Sequence, residues 1–287
     1  MKGMVSVMDN VKEKQLKIFA VKERMHIVDG IFNEKAGHPG GSLSIADVLA
    51  YLYNCEMNID PKDPKMQDRD RLVLSKGHAA PALYATLALK GYFPESEIKD
   101  LRKIGKMLQG HPDMKHTPGV DMSTGSLGQG ISAAVGMALA AKKFNEDYRV
   151  YTILGDGEIE EGQVWEAAMF AGFNKLDNLV AYVDYNKMQI DGTIDEVVSP
   201  HPVDKKFEAF GWNVITIDGH DFNQIESAYK AARECKGKPT CIVANSIKGK
   251  GVSFMESQVG WHGKAPNAEE YETAMSELKD ALAELEV

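Results

Sequence analysis

From Val11 to Gly30 the apolar side chains Leu16, Phe19, Ala20 and Ile27, continued by Ile31, recur at near-helical spacing among lysines and glutamates. That periodicity predicts an amphipathic helix with Gly30 as its terminus. Four short apolar runs come later, at Val150–Leu154, Leu179–Val183, Val214–Ile217 and Cys241–Ala244. Each is continuous or nearly so, the pattern of strands covered on both faces. Helical stretches separate them: Gln163–Phe173 after the first run, Asp204–Phe210 before the third and Phe222–Cys235 after it. Strands alternating with helices imply right-handed crossovers, so the expected fold class is α/β, a mostly parallel sheet with helices on both faces. A small-residue helix is expected at Ile131–Lys143, and the C-terminal segment sets Tyr271, Met275, Leu278, Leu282 and Leu285 three or four residues apart. Such a stripe packs on its own domain or on a partner.

At 287 residues the chain suits one large α/β unit better than two domains, with residues 1–265 as the main body and 266–287 as a terminal helix. Apolar residues make up 44% and charged residues 26%, the balance of a soluble globular protein. The net charge of −9 leaves no basic face for a phosphate backbone, which argues against nucleic acid as a partner. Any anionic ligand must then be held by a local device such as a helix N-terminus or a metal ion. The cysteines Cys55, Cys235 and Cys241 are scattered and lack CxxC spacing, so neither a disulfide framework nor zinc is suggested and a reducing cytoplasm fits. The longest small-apolar stretch, Ile131 to Ala141, is too short to cross a bilayer, and the charged N-terminal segment does not read as a signal peptide, so no membrane association is expected.

Parallel sheets bind ligands beyond the carboxyl ends of their strands, which directs attention to the segments after each run. After Leu154 comes Gly155-Asp156-Gly157-Glu158, where two glycines flank a hard oxygen ligand. Asn186 follows the next run, one strand–helix–strand passage later, so Asp156 and Asn186 can stand at neighbouring strand ends and offer a carboxylate and an amide oxygen to one cation. Mg²⁺ suits such a sparse set, with phosphate oxygens completing its shell. Upstream, Thr124-Gly125-Ser126-Leu127-Gly128-Gln129-Gly130 opens the small-residue helix, a glycine-rich entrance whose amides can receive an anion. Read alone, it is equally a flexible loop before a tightly packed helix. Of eight histidines, His38, His78, His111 and His262 lie beside glycine, where a ring can reach a ligand; His26, His116, His201 and His220 read as surface or structural residues.

In order along the chain, Gly37-His-Pro39, Lys76-Gly-His78, Gly110-His-Pro112, Leu127-Gly-Gln-Gly130, Gly155-Asp-Gly157 through Asn186, and Lys248-Gly-Lys-Gly251 before His262-Gly263 resemble the N-terminal, diphosphate-binding domain of transketolase. The resemblance runs from about residue 15 to residue 265. It implies the thiamine-diphosphate-binding fold, with thiamine diphosphate and Mg²⁺ or Ca²⁺ as cofactors. Asp156, Asn186 and the carbonyl of Met188 would be the metal ligands, with Gly155, Gly157 and the Gly128, Gln129, Gly130 loop around the diphosphate. Glu161 would lie near the subunit contact and the cofactor, His78 near the diphosphate, and His38, His111 and His262 at the substrate hydroxyls as catalytic residues. Tyr185 stands before the asparagine where the broad thiamine motif often has a second asparagine.

The activity implied is ketol transfer, a two-carbon unit passing from a ketose phosphate to an aldose phosphate, which would belong to the pentose phosphate pathway. Imidazoles near their ordinary value of about 6.5 suit the hydroxyl deprotonation this needs, a use for a His38/His262 pair. Family enzymes continue through pyrimidine-binding and C-terminal domains, whereas this chain stops at Val287. The expected partner is therefore a separate C-terminal transketolase subunit in a 2+2 heterotetramer with a homodimer contact, and the Tyr271–Leu285 stripe is available to help dock it. Two other readings stay open: half of a 2-oxo acid dehydrogenase or deoxyxylulose phosphate synthase, and a non-catalytic cofactor-binding module. The glycine-flanked histidines favour a hydroxyl-rich sugar.

Overall fold

The computed structural model describes residues 8–287, so the N-terminal part of the segment read for a signal peptide lies outside the described residues. In chain order the elements are α1 (Asn10–Glu34), α2 (Pro39–Leu43), α3 (Ala46–Tyr51), β1 (Arg71–Leu74), α4 (Ala80–Leu89), α5 (Gln129–Phe144), β2 (Val150–Gly155) and α6 (Gly162–Phe173). They continue with β3 (Leu179–Tyr185), β4 (Met188–Gln189), β5 (Gly192–Thr193), α7 (Ile194–Val197), α8 (Val203–Ala209), β6 (Asn213–Asp218), α9 (Phe222–Glu234), β7 (Thr240–Asn245) and α10 (Ala268–Glu286). β1, β2, β3, β7 and β6 pair in that order, all parallel, while β4 and β5 form a separate antiparallel hairpin.

The central strands alternate their side chains between two cores. Tyr151, Ile153, Val180, Tyr182 and Ile242 face the layer of α1, α3, α4, α9 and α10, and Val150, Leu154, Leu179, Ala181, Val183, Cys241 and Val243 face that of α5, α6 and α8. Helices on both faces make a continuously apolar strand the stable solution, which is why β2, β3 and β7 match the sequence pattern. The third run does not. β6 is an edge strand whose Val214 and Ile215 are only half-buried, because a strand paired on one side has less of the molecule around it. β1, at the opposite edge, is a strand the sequence pattern does not reveal. Its four residues begin with an arginine and give no period to detect.

α1 starts where the Asp9 carboxylate accepts the Val11 amide (3.2 Å), and it does not stop at Gly30. It ends at Lys35, which is left-handed (φ 59°) and donates its amide to the Phe32 carbonyl. Gly30 instead lets Ile98 approach, since a Cβ there would stand 3.1 Å from Ile98 Cγ2. α1 is also more than amphipathic, because Glu23 and Arg24 are buried with its apolar face. The terminal stripe packs within the chain: Ala274, Met275 and Leu278 are buried in the α1 core, Tyr271 stacks on Phe32 (4.0 Å) and its hydroxyl donates to Asp29 (3.0 Å), while Leu282 and Leu285 are partly buried.

Glu23 is fully buried, and neither of its carboxyl oxygens has a hydrogen-bond partner among the described residues. Burial, reinforced by Asp47, pushes its carboxyl well above the usual range against the pull of Thr86 and Arg24. The folded state therefore binds a proton that the unfolded state releases above about pH 4.3, so the group costs stability increasingly as pH rises. Glu23→Gln removes that cost. Thermal melts are expected to show the variant matching the parent near pH 4 and exceeding it by about 2–4 °C at pH 8, equivalent to ~1 kcal/mol; a difference independent of pH would contradict this.

Candidate functional site

Because the sheet is parallel, β1, β2, β3 and β7 all end at the same edge. Four strand-end turns meet there: Ser75–His78, Asp156–Glu158, Asn186–Met188 and Ser246–Lys248. They surround a cavity of about 280 Å³ whose wall includes Lys76, His78, Asp156, Asn186, Lys248 and His262.

A buried ion pair fastens the turns together. Lys76 Nζ lies 2.6 Å from Asp184 Oδ2 and donates also to the Gly41 carbonyl (2.6 Å). Asp184 further accepts the Ser44 hydroxyl (2.7 Å), the Asn186 amide (2.9 Å) and the Ser246 hydroxyl. Burial works against its charge, but Lys76 and the hydrogen bonds hold its carboxyl below the usual range. A second buried carboxylate, Glu158, accepts from Ser75 Oγ (2.6 Å), Gly128 N (3.0 Å) and Gly155 N (3.0 Å), tying β1, β2 and the start of α5.

Three oxygens share the cavity wall at the ends of β2 and β3. Asp156 accepts the amides of Gly157 (2.9 Å) and Lys187, and no cationic side chain pairs with it among the described residues. Burial, then the neighbouring Asp184, push its carboxyl up to about 7. Asn186 gives its Nδ2 to Asp184, leaving Oδ1 as acceptor toward the Met188 amide (3.1 Å), and the Met188 carbonyl accepts from Lys248 Nζ (3.3 Å). A buried carboxylate short of positive charge, flanked by an amide oxygen and a carbonyl, is a donor set that fits a hard divalent cation. Lys76, Lys248 and the glycine backbones beside it fit an anion.

Adjoining these oxygens through Lys248, His38, His78 and His262 form a triangle with ring centroids 5.3–5.5 Å apart, and His262 Nδ1 lies 2.9 Å from Lys248 Nζ. The sequence expectation of imidazoles near their ordinary value is corrected here. Burial, followed by Lys248, lowers His262 to about 3; burial and Lys76 hold His78 well down; and burial, with His111 next, lowers His38. Cations and fellow imidazoles crowd the rings, so near pH 7 they are neutral, and His262, accepting from Lys248 at Nδ1, keeps its proton on Nε2. Burial also brings the Lys248 ammonium down to about 8.

Of the residues singled out in sequence, His38, His78, Gly155, Asp156, Gly157, Asn186, Met188 and His262 line the cavity. His111 sits at the rim with its ring against Gly125, which is on the wall. The Gly128, Gln129, Gly130 loop and Glu161 stand one layer out: the Gly128 amide is taken by Glu158, Gln129 is exposed, Gly130 packs on Ser75, and the exposed Glu161 covers Gly128. Gly125 and Leu127 are the parts of that loop on the wall. Sequence reasoning passed over Lys76, Asp184, Lys248 and Glu158. Lys76, Lys248 and Glu158 stood inside quoted motifs, beside glycines, which was the available signal.

The fold and its strand-end cavity define an α/β domain whose wall, with Lys76, Lys248 and glycine backbones at the carboxyl edge of a parallel sheet, suits an anionic ligand. Residues 16–281 match the family described as transketolase, thiamine diphosphate binding domain. The chain is 55% identical over 243 residues to the 6-deoxy-6-sulfo-D-fructose transketolase subunit SqwG of Clostridium sp. (strain MSTE9), covering 85% of this chain and 88% of that one. It is 42% identical over 271 residues to an apulose-4-phosphate transketolase subunit from Phocaeicola vulgatus, covering 94% and 96%. Among solved structures, transketolase from Campylobacter jejuni superposes with a TM-score of 0.87 at 32% identity over 97% of this chain, but only 46% of that longer one. The chain belongs to the transketolase family as its thiamine diphosphate-binding part, and its reaction class is ketol transfer. This is the reading that the sequence resemblance implied, ahead of the two alternatives left open there.

The lowered imidazoles give a direct check. In proton NMR, the His262 C2 proton is expected to show no titration step between pH 8 and pH 5; a step centred near 6.5 would show that the ring is not held neutral.

Proposed function

We propose that this chain is the diphosphate-binding subunit of a split transketolase, competent only with a second polypeptide that carries the pyrimidine-binding and C-terminal domains. The observation that carries the reading is the likeness to two relatives named as transketolase subunits, 55% and 42% identical and covered over 88% and 96% of their lengths. Exposed apolar side chains support a companion. Leu127 and Ile190 stand exposed on the cavity wall, and Met169, Phe170 and Phe173 lie open to solvent on successive turns of α6, apolar surface a companion chain could cover. The assembly is a 2+2 heterotetramer in the cytoplasm; among the described residues no helix is long and apolar enough to cross a membrane.

Asp156, Asn186 Oδ1 and the Met188 carbonyl hold Mg²⁺ or Ca²⁺, whose positive charge replaces what the raised Asp156 carboxyl lacks. Gly155, Gly157 and Lys76 receive the diphosphate. Gly128, Gln129 and Gly130 support that end through Glu158, while Glu161 faces the subunit contact. When bound, thiamine diphosphate supplies the electron sink for the carbanion left by carbon–carbon cleavage. The protein orients the sugar and moves protons. Neutral His38 and His262 hydrogen-bond the sugar hydroxyls, His262 through its Nε2–H, because Lys248, 2.9 Å away, donates to its Nδ1. His111 at the rim meets hydroxyls further along the sugar, and His78 stands at the diphosphate end. The substrates are anionic ketoses and aldoses. Relatives named for a sulfonated fructose and for apulose 4-phosphate extend that class beyond the pentose phosphate sugars.

The purified chain is expected to give no ketol transfer alone and to gain turnover on addition of the companion polypeptide; robust turnover by the chain by itself would overturn the reading. In the complex, calorimetry of Asp156→Ala is expected to show at least a tenfold loss of magnesium-dependent thiamine diphosphate affinity with the melting temperature retained. Unchanged magnesium-dependent affinity would remove Asp156 from the metal.

A further inference from the structure

The turn between β6 and α9 carries a histidine outside the cofactor cavity. His220 Nδ1 lies 2.7 Å from Asp47 Oδ2, and its Nε2 lies 2.9 Å from the amide nitrogen of Ile247. A backbone N–H can only donate, so Nε2 presents its lone pair and the ring proton sits on Nδ1, donated to Asp47. Asp47 is itself gripped by Arg24 of α1 through both guanidinium arms (2.5 and 3.2 Å), and the whole Asp47 side chain is buried. Three ionisable groups from α1, α3 and the β6–α9 turn thus converge to satisfy one backbone amide.

That amide immediately precedes Lys248, whose ammonium reaches the Met188 carbonyl and His262 Nδ1. The rest of the turn is held from other directions. The Ser246 hydroxyl donates to Asp184, the Gly249 amide to the Gly40 carbonyl (3.0 Å) and the Gly251 amide to Glu256 (3.0 Å). Arg24 also lies flush against Gly251, where a Cβ would stand 2.8 Å from its Cδ. At Ile247 the grip comes from a side chain on the neighbouring strand's turn, and it sets the backbone from which Lys248 departs.

We propose that His220 is a positioning residue: the Arg24–Asp47–His220 relay fixes the Ile247 amide and so aims Lys248 at Met188 and His262. The reading of the cavity as a ketol-transfer site matters to this only for its kinetic consequence. His220 borders an open cleft shared with Asp218, Asn245 and Ile247, so truncating it admits water rather than leaving a dry void, and the variant is expected to fold.

The test uses the full chain with its companion polypeptide. In ¹⁵N-resolved NMR of the parent chain, His220 is expected as the Nδ1–H tautomer; the Nε2–H tautomer would overturn the proposal before any variant is made. In His220→Ala, hydrogen exchange over residues 246–250 is expected to accelerate at least tenfold, with the other sheet strands unchanged. In the same variant kcat falls about tenfold while KM for the donor ketose stays within twofold. His220→Gln, whose amide offers one donor and one acceptor side by side, should bring both readouts back to within threefold of the parent. In a Lys248→Ala background the His220→Ala change should cost less than twofold, since a residue acting through Lys248 has nothing left to position. Unchanged exchange at 246–250, or the same tenfold loss with Lys248 already absent, overturns the proposal. If the parent complex shows no ketol transfer at all, the functional reading fails and the exchange and tautomer results decide the positioning role alone.

Discussion

The Lys76–Asp184 pair is the constraint from which the site is built. Neither side chain reaches solvent, and a charge buried that deeply is tolerated only when its partner and its remaining hydrogen bonds are all in place. Asp184 meets that demand by taking donors from the α2–α3 connection, the β1 end, the β3 end and the β7 end. Removing one member of such a pair costs about 3–5 kcal/mol, because the other is left charged and alone. Three of the four turns that make the cavity, with the α2–α3 connection, are therefore held in one geometry by a single carboxylate, and Glu158 ties the β2 turn to β1.

That geometry determines the orientation of Asn186. Its amide nitrogen is committed to Asp184, so its oxygen is the group left for the cavity, beside Asp156 and the Met188 carbonyl. The same burial that makes the pair expensive also shapes the electrostatics around it. Asp156 is raised to about 7 by burial and the neighbouring Asp184, while Lys248 and the histidine triangle are lowered by burial and by the charges and rings around them. The oxygens around Asp156 would suit a hard cation, and the neutral imidazoles with Lys76 and Lys248 beside them would suit hydroxyls and an anion.

Much of this was legible in the sequence because it is local. A glycine-flanked aspartate after one buried strand and an asparagine after the next locate two adjacent strand ends, and the parallel fold makes adjacency in the pattern into adjacency in space. The glycine-flanked histidines were legible for the same reason. What escaped depends on strand order. β1 lies beside β2, so Lys76 meets Asp184 across β2, and nothing periodic in Arg71–Leu74 announces that edge. Glu158 was passed over in favour of Glu161, although only Glu158 is turned inward to take three donors. Gly30 misled as a helix stop because close packing against Ile98 and chain termination both select glycine. The spacing of the terminal stripe did not show that α1 covers much of it.

The central claim is that a buried ion pair pre-orients Asn186 so that three oxygens at two strand ends form one cation site. Diffraction from crystals grown with thiamine diphosphate and Mn²⁺, recorded for the manganese anomalous signal, addresses it most directly. The account predicts one strong peak in contact with the Asp156 carboxylate, Asn186 Oδ1 and the Met188 carbonyl, with Asn186 Nδ2 still donating to Asp184. A peak away from those oxygens, or an Asn186 turned to present its nitrogen to the metal, would contradict it.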